Sequence, residues 1–181
     1  MAERTIWGIH AGREGEADSL FLKSKVVAIG WHHVGDLNKY LDRDEYKKKL
    51  QEVYKAMSVG AQRNTAGIFY RFVHEAQIGD LVIYPSNRSK QVYIGEIQSE
   101  YKYQPELNNE FPNQRDVAWK GNYPRTRFSQ QALYEIGSAL SLFQVKNYVD
   151  EFLSALEGKQ EPKETGGEDE AEELATMTEG V

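Results

Sequence analysis

The stretch Gly79-Asp80-Leu81-Val82-Ile83-Tyr84-Pro85-Ser86-Asn87-Arg88-Ser89-Lys90-Gln91-Val92-Tyr93-Ile94-Gly95-Glu96-Ile97 decides the fold. Leu81 to Tyr84 is a short apolar run of good strand formers. Pro85 to Lys90 cannot continue it, and Val92, Ile94 and Ile97 restart an apolar pattern. The spacing predicts two strands folded over a polar loop. Around that loop stand two hydroxyls (Tyr84, Ser86), an amide (Asn87) and two cations (Arg88, Lys90). Such groups suit a site that reads a base edge and touches a phosphate.

Working outward, Thr5 to His10 predicts a first strand and Asp18 to Lys23 a short helix. Val26 to Trp31 is an apolar, β-branched run that predicts a central strand. Tyr46, Leu50, Val53 and Tyr54 share one face of a helix starting near Asp42 or Asp44. Asn64 or Thr65 is placed to cap a further helix with the stripe Ile68, Phe69, Phe72 and Val73. The second strand of the hairpin is expected to run on through Glu100 to Tyr103, and Arg115 to Lys120 forms another. Residues 128–136, capped by Ser129 or Thr126, and 140–156 predict the last two helices. Five or six strands with peripheral helices give an α+β fold built on a curved sheet or open barrel.

The chain has 181 residues and a formal net charge of −6. Residues 159–181 hold two basic and eight acidic side chains, so residues 1–158 are neutral by count. The division is thus a folded domain over 1–158 and an acidic, disordered tail or linker over 159–181. A neutral body argues against strong non-specific DNA affinity, which needs many phosphate contacts. There is no cysteine, hence no disulfide and no thiolate metal site. No signal peptide or apolar span is visible, so the expectation is a cytoplasmic protein with no membrane partner.

Trp31 is followed by His32-His33, which places it at an edge where an aromatic face can stack on a base. The two histidines are expected to diverge on an extended backbone and so cannot share a metal. His32 can still bond a ligand. Gln62 to Thr65 precedes a predicted helix and can offer amide nitrogens to an anion. Arg88 and Lys90 in one loop, with Lys120, Arg125 and Arg127 in another, are the candidate phosphate contacts. Asp80 with Glu100-Tyr101-Lys102 loosely mimics a metal-dependent nuclease, although Asp80 after Gly79 also suits a turn. No Ser-His-Asp order, phosphate-binding Gly loop or metalloprotease helix motif is present.

Val27-Ala28-Ile29-Gly30-Trp31, Tyr70-Arg71-Phe72-Val73, Gly79 to Ser86, Tyr93-Ile94-Gly95, Val117-Ala118-Trp119, Pro124-Arg125 and Phe128-Ser129 occur in that order. Together they resemble the N-terminal domain of Mrr-like, modification-dependent restriction endonucleases, relatives of the EVE, YTH and PUA-like domains. The resemblance covers about residues 4–157. It implies a PUA-like curved sheet or pseudo-barrel flanked by helices, with a pocket for a modified base flipped from a duplex. By position the pocket would use Trp31, Tyr84, Pro85, Ser86, Asn64 and Thr65, with His32 beside them. The implied partners are DNA carrying a methylated cytosine or adenine and a nuclease, either a separate subunit or a domain on the C-terminal side of this one. The chain itself would be non-catalytic, with no metal and no small-molecule cofactor. Two alternatives stand beside this: an RNA-binding PUA-like module, and a metal-dependent nuclease using Asp80, Glu100 and Lys102.

Overall fold

The computed structural model describes residues 4–158. The tail expected over 159–181 lies outside the described residues. Seven strands form one mixed sheet: β1 (Ile6–Ile9), β2 (Val26–Ile29), β3 (Leu81–Pro85), β4 (Gln91–Ile97), β5 (Lys102–Tyr103), β6 (Asn113–Pro124) and β7 (Leu142–Gln144). The order is β2-β6-β4-β3-β1-β7, with β5 pairing β6 off that path. Among the described residues only β1 and β3 pair in parallel, and every other pairing is antiparallel. The long β6 pairs with β2 along its first part and with β4 along the rest, and the sheet curls into a half-barrel.

Among the described residues five α-helices surround it: α1 (Asp18–Lys23), α2 (Arg43–Val53), α3 (Val59–Tyr70), α4 (Gln130–Ile136) and α5 (Val149–Leu156). Both faces of the sheet are covered. Val82 and Tyr84 pack into one core with Phe21, Leu50 and Phe69. Leu81 and Ile83 pack into a second with Leu133 and Phe152. The unbroken apolar run of β3 follows from this, because alternate residues of a strand face opposite sides. Each large side chain so buried contributes about 1.5–3 kcal/mol.

Helix α2 begins as the sequence predicts, with the Asp42 carboxylate accepting from Glu45 N at 2.9 Å. Four expectations need correction. First, β2 is an edge strand rather than a central one. Its apolar run reports burial on both faces, which helices supply as well as strands do. Second, α3 is capped by Ser58, whose hydroxyl accepts from Ala61 N at 3.1 Å. Asn64 and Thr65 therefore lie inside the helix. Third, β4 ends at Ile97 instead of running on to Tyr103, and Lys102 and Tyr103 form a separate short strand on β6.

Fourth, residues 140–156 are a strand and a helix instead of one helix. Phe143 pairs with Gly8, and its ring lies where a Gly8 side chain would begin, 2.2 Å from an ideal Cβ. Glycine at that position therefore admits β7 to the open edge of β1. The Glu135 carboxylate then accepts the N–H groups of Lys146, Asn147 and Tyr148 at 2.8–3.0 Å. This turns the chain before α5 starts.

Helix α3 runs on into a π-helical turn, Arg71–Glu75. The fully buried Arg115 holds that turn. Its guanidinium donates to Phe72 O at 2.9 Å, Ala76 O at 2.7 Å and Ser99 O at 3.0 Å. Burial lowers its pKa.

Candidate functional site

Beyond the C-terminal ends of β1, β2 and β3 lies a cleft of about 860 Å³. That volume is within the ~300–1,000 Å³ usual for small-molecule sites. His10, Trp31 and Pro85 enter it from the three strand ends. Ala61, Asn64, Thr65 and Ile68 enter from α3 at spacings of three and four, so one stripe of the helix forms a wall. Phe69, on the neighbouring face of α3, and Phe72, in the π-helical turn that follows, pack in the core. The helix thus positions two polar side chains on the cleft while its packing fixes their place.

Trp31 has left-handed backbone angles, φ 61° and ψ 45°. A bulky residue there costs roughly 1–3 kcal/mol, and such strain gathers at ligand sites. The ring packs edge-on to Phe69 at 5.7 Å between centroids. Trp31 is only half-buried, and its indole N–H has no hydrogen-bond partner among the described residues. Phe111 stands near it, its ring edge 3.8 Å from where a Gly30 side chain would begin. Two aromatic surfaces therefore share one end of the cleft.

The polar lining is mixed. Arg13 and Arg125 bring positive charge; Glu16 and Glu110 bring negative. Glu16 folds back over Gly12, whose φ of +83° and missing side chain leave room for the carboxylate, and accepts Glu14 N at 2.7 Å. Arg125 is nearly buried and donates to Ser86 O at 3.3 Å. His10 bonds Ser138 O at 2.8 Å through Nε2. Burial lowers its pKa, and the bond to Ser138 only partly opposes that. The neutral ring donates from Nε2, which leaves Nδ1 as an acceptor. Such a cleft offers aromatic faces for a flat ring, donors and acceptors for its edge, and cations for an anionic group.

Of the residues expected in the pocket, Trp31, His32, Asn64, Thr65 and Pro85 line this cleft. Tyr84 and Ser86 do not. Both are buried, and both donate to Asp18 Oδ1, at 2.5 Å and 2.6 Å. Burial and that bond push the Tyr84 pKa up, so it stays a neutral phenol. His32 and His33 also differ from expectation. A 3-10 turn replaces the extended backbone, and their rings approach to 4.1 Å between centroids.

Among the expected phosphate contacts, Arg125 alone lines the cleft. Arg127 is nearly buried, its guanidinium 5.8 Å from the Phe128 ring centre. Arg88 and Lys90 are exposed on the β3–β4 loop, with Arg88 passing close to Gly15. Lys120 is the extra residue of a β-bulge, between the pairs Gly95–Trp119 and Ile94–Gly121. The two loops meet, with Gln91 opposite Pro124 and Arg125 donating to Ser86 O, and of their expected contacts Arg125 is the one on the cleft.

Two of the nuclease-like residues, Asp80 and Lys102, have partners within the fold. Asp80 is buried, and its two oxygens accept from Thr5 N, Trp7 Nε1 and Gln77 N at 2.9–3.1 Å. Lys102 pairs with Asp116 at 2.6 Å. Among the described residues no group of three or more His, Asp or Glu is placed to hold a metal ion. Sequence reasoning did not place His10, Arg13, Glu110 or Phe111 on the cleft. The stripe Ala61, Asn64, Thr65, Ile68 was the available signal for its α3 wall.

Among the described residues no helix is long and apolar enough to cross a membrane. Among curated proteins none matches the chain. A family described as a domain of unknown function, DUF8426, matches residues 7–144, a span that runs from β1 through β7 and carries every cleft residue named above, and the chain belongs to that family.

Proposed function

We propose that the cleft receives one nucleotide extruded from DNA and reads a modified base there. The domain then acts as the specificity module of a restriction nuclease whose cutting domain or subunit lies elsewhere. The observation that carries this reading is Trp31, a strained, half-buried aromatic with a free N–H on a cleft wall. Stacking a base on such a ring contributes roughly 1–3 kcal/mol, enough to offset much of the few kcal/mol that flipping costs. Asn64, Thr65 and His32 offer the edge contacts, and Arg125 a cation for the phosphate. The resemblance to the N-terminal domain of Mrr-like endonucleases supports the same reading and supplies its modified-base element.

The test is a binding screen over duplexes that differ in one base: 5-methylcytosine, 5-hydroxymethylcytosine or N6-methyladenine. One modified duplex is expected to bind at least about tenfold more tightly than its plain twin, a difference of ~1.4 kcal/mol. Trp31→Ala is expected to erase that preference and leave weak binding to plain DNA. Equal affinity for every modified duplex and its twin would overturn the reading. Tighter binding to an RNA hairpin than to any duplex would replace it with an RNA-binding one.

A further inference from the structure

Beside α1, strands β4 and β6 form a surface margin whose residues do not line the cleft. Tyr93 on β4 lies directly opposite Asn122 on β6, and Asn122 donates to Gln91 at 3.4 Å. The Tyr93 ring is held between Tyr84, 5.9 Å away and nearly parallel, and Trp119, 6.0 Å away and edge-on. Trp119 is itself fixed, its indole N–H donating to Phe21 O at 2.8 Å. Tyr93 is half-buried, and its hydroxyl has no hydrogen-bond partner among the described residues. A rigid aromatic thus presents a free hydroxyl at the surface.

Lysines border this margin. Lys120 stands on the β6 bulge. The carbonyl of Lys25 accepts Val117 N at 2.9 Å, which lays the end of α1 and the turn after it, with Lys23 and Lys25, along the same stretch of β6. All three lysines are exposed, and none makes an ion pair among the described residues. The acidic side chains of the adjoining strand segments are occupied: Glu96 pairs with Arg4 and Asp116 with Lys102. On a domain that is neutral by count, charge here is locally positive. The margin is also continuous with the cleft, since Gln91 follows the loop whose Asn87 lines it.

We propose that this margin binds the phosphodiester backbone of the DNA strand flanking the nucleotide in the cleft, with Lys23, Lys25 and Lys120 as the phosphate contacts and Tyr93 as a fixed donor. The proposal rests on the reading that the cleft takes its nucleotide from DNA. Each phosphate neutralised by a lysine adds about 0.9 to the slope of log affinity against log salt.

The experiment is a salt titration of the full chain on an unmodified duplex of about 16 base pairs. Replacing all three lysines by Gln keeps their stems and the positive φ of Lys25. The triple variant is expected to lower the slope by roughly two to three, Lys120→Gln alone by about one, and Trp31→Ala by nothing. Circular dichroism checks that each variant keeps its fold. A wild-type slope in both lysine variants would overturn this proposal alone. No salt-dependent duplex binding by the wild-type chain would overturn it together with the reading of the cleft.

Discussion

Asp18 accepts the Tyr84 hydroxyl at 2.5 Å across 66 residues of sequence, so the first turn of α1 is fastened to the end of β3. The same carboxylate oxygen accepts Ser86 Oγ at 2.6 Å. Ser86 Oγ in turn accepts the N–H groups of Arg88 and Ser89 at 3.2 Å and 3.0 Å, which shapes the polar loop. Ser86 O also accepts from Arg125. The loop geometry, the place of α1 and one cation of the cleft therefore depend on Asp18.

Asp18→Ala is expected to leave two buried hydroxyls without their acceptor, at about 1–3 kcal/mol each. Tyr84→Phe removes one bond and strands nothing, because Asp18 keeps Ser86, so its cost is expected near 1 kcal/mol. Urea denaturation measures both. A loss below about 0.5 kcal/mol for Asp18→Ala would show that the fastening has little weight. Because Tyr84 does not line the cleft, Tyr84→Phe is also expected to leave modified-base preference unchanged.

Arg115 supports the fold by a different route. It is fully buried and touches carbonyl oxygens, not a carboxylate. Arg115→Met fills much of the volume but leaves the acceptors of Phe72, Ala76 and Ser99 unmatched. The expected loss is about 3 kcal/mol or more, from roughly 1–3 kcal/mol per stranded group. Arg115→Lys is expected to fare little better, since one ammonium cannot reproduce the planar fork. Equal urea midpoints for Arg115→Lys and wild type would refute the role of the fork.

These two residues show why the fold was more legible in the sequence than the site. The Leu81–Tyr84 run is a local signal of burial on both faces, and Asp42 is a local signal of a helix start. Tyr84 and Ser86 look free in sequence because the residue that engages them lies 66 and 68 positions away. Leu142–Gln144 becomes a strand only because β1 offers an edge and Gly8 makes room, a tertiary effect that overrides helical spacing. Asn64 and Thr65 look like caps, yet Ser58 caps the helix nearly two turns earlier, and the same two side chains reach the cleft from the helix interior. Trp31 was legible at an edge, but its left-handed backbone was not.

Arg125 carries a prediction about affinity without selectivity. Its guanidinium reaches the cleft from the 3-10 turn after β6. If it contacts a phosphate, Arg125→Gln is expected to weaken modified and plain duplexes alike and to flatten the salt slope by about 0.9. Loss of preference with an unchanged slope would instead place Arg125 at the base edge. Comparing the two duplexes over the same salt series separates these outcomes.

His10 ties the loop over residues 137–141 to the end of β1, through its ring to Ser138 O and its backbone N–H to Ser141 O at 3.0 Å. Burial holds its folded-state pKa below the usual histidine value of about 6.5. The unfolded chain therefore takes up a proton at higher pH than the folded one. The stability tied to a neutral His10 is fully present above pH ~6.5 and is lost as pH falls toward the folded pKa, at no more than about 1.4 kcal/mol per pH unit. His10→Gln keeps a donor for Ser138 but cannot titrate. On lowering the pH from about 7.5 to 5.5, the wild-type urea midpoint is expected to fall more than that of His10→Gln. Parallel falls in the two proteins would mean that the imidazole is not held neutral by the fold, and a smaller fall in the wild type would mean that its pKa is raised.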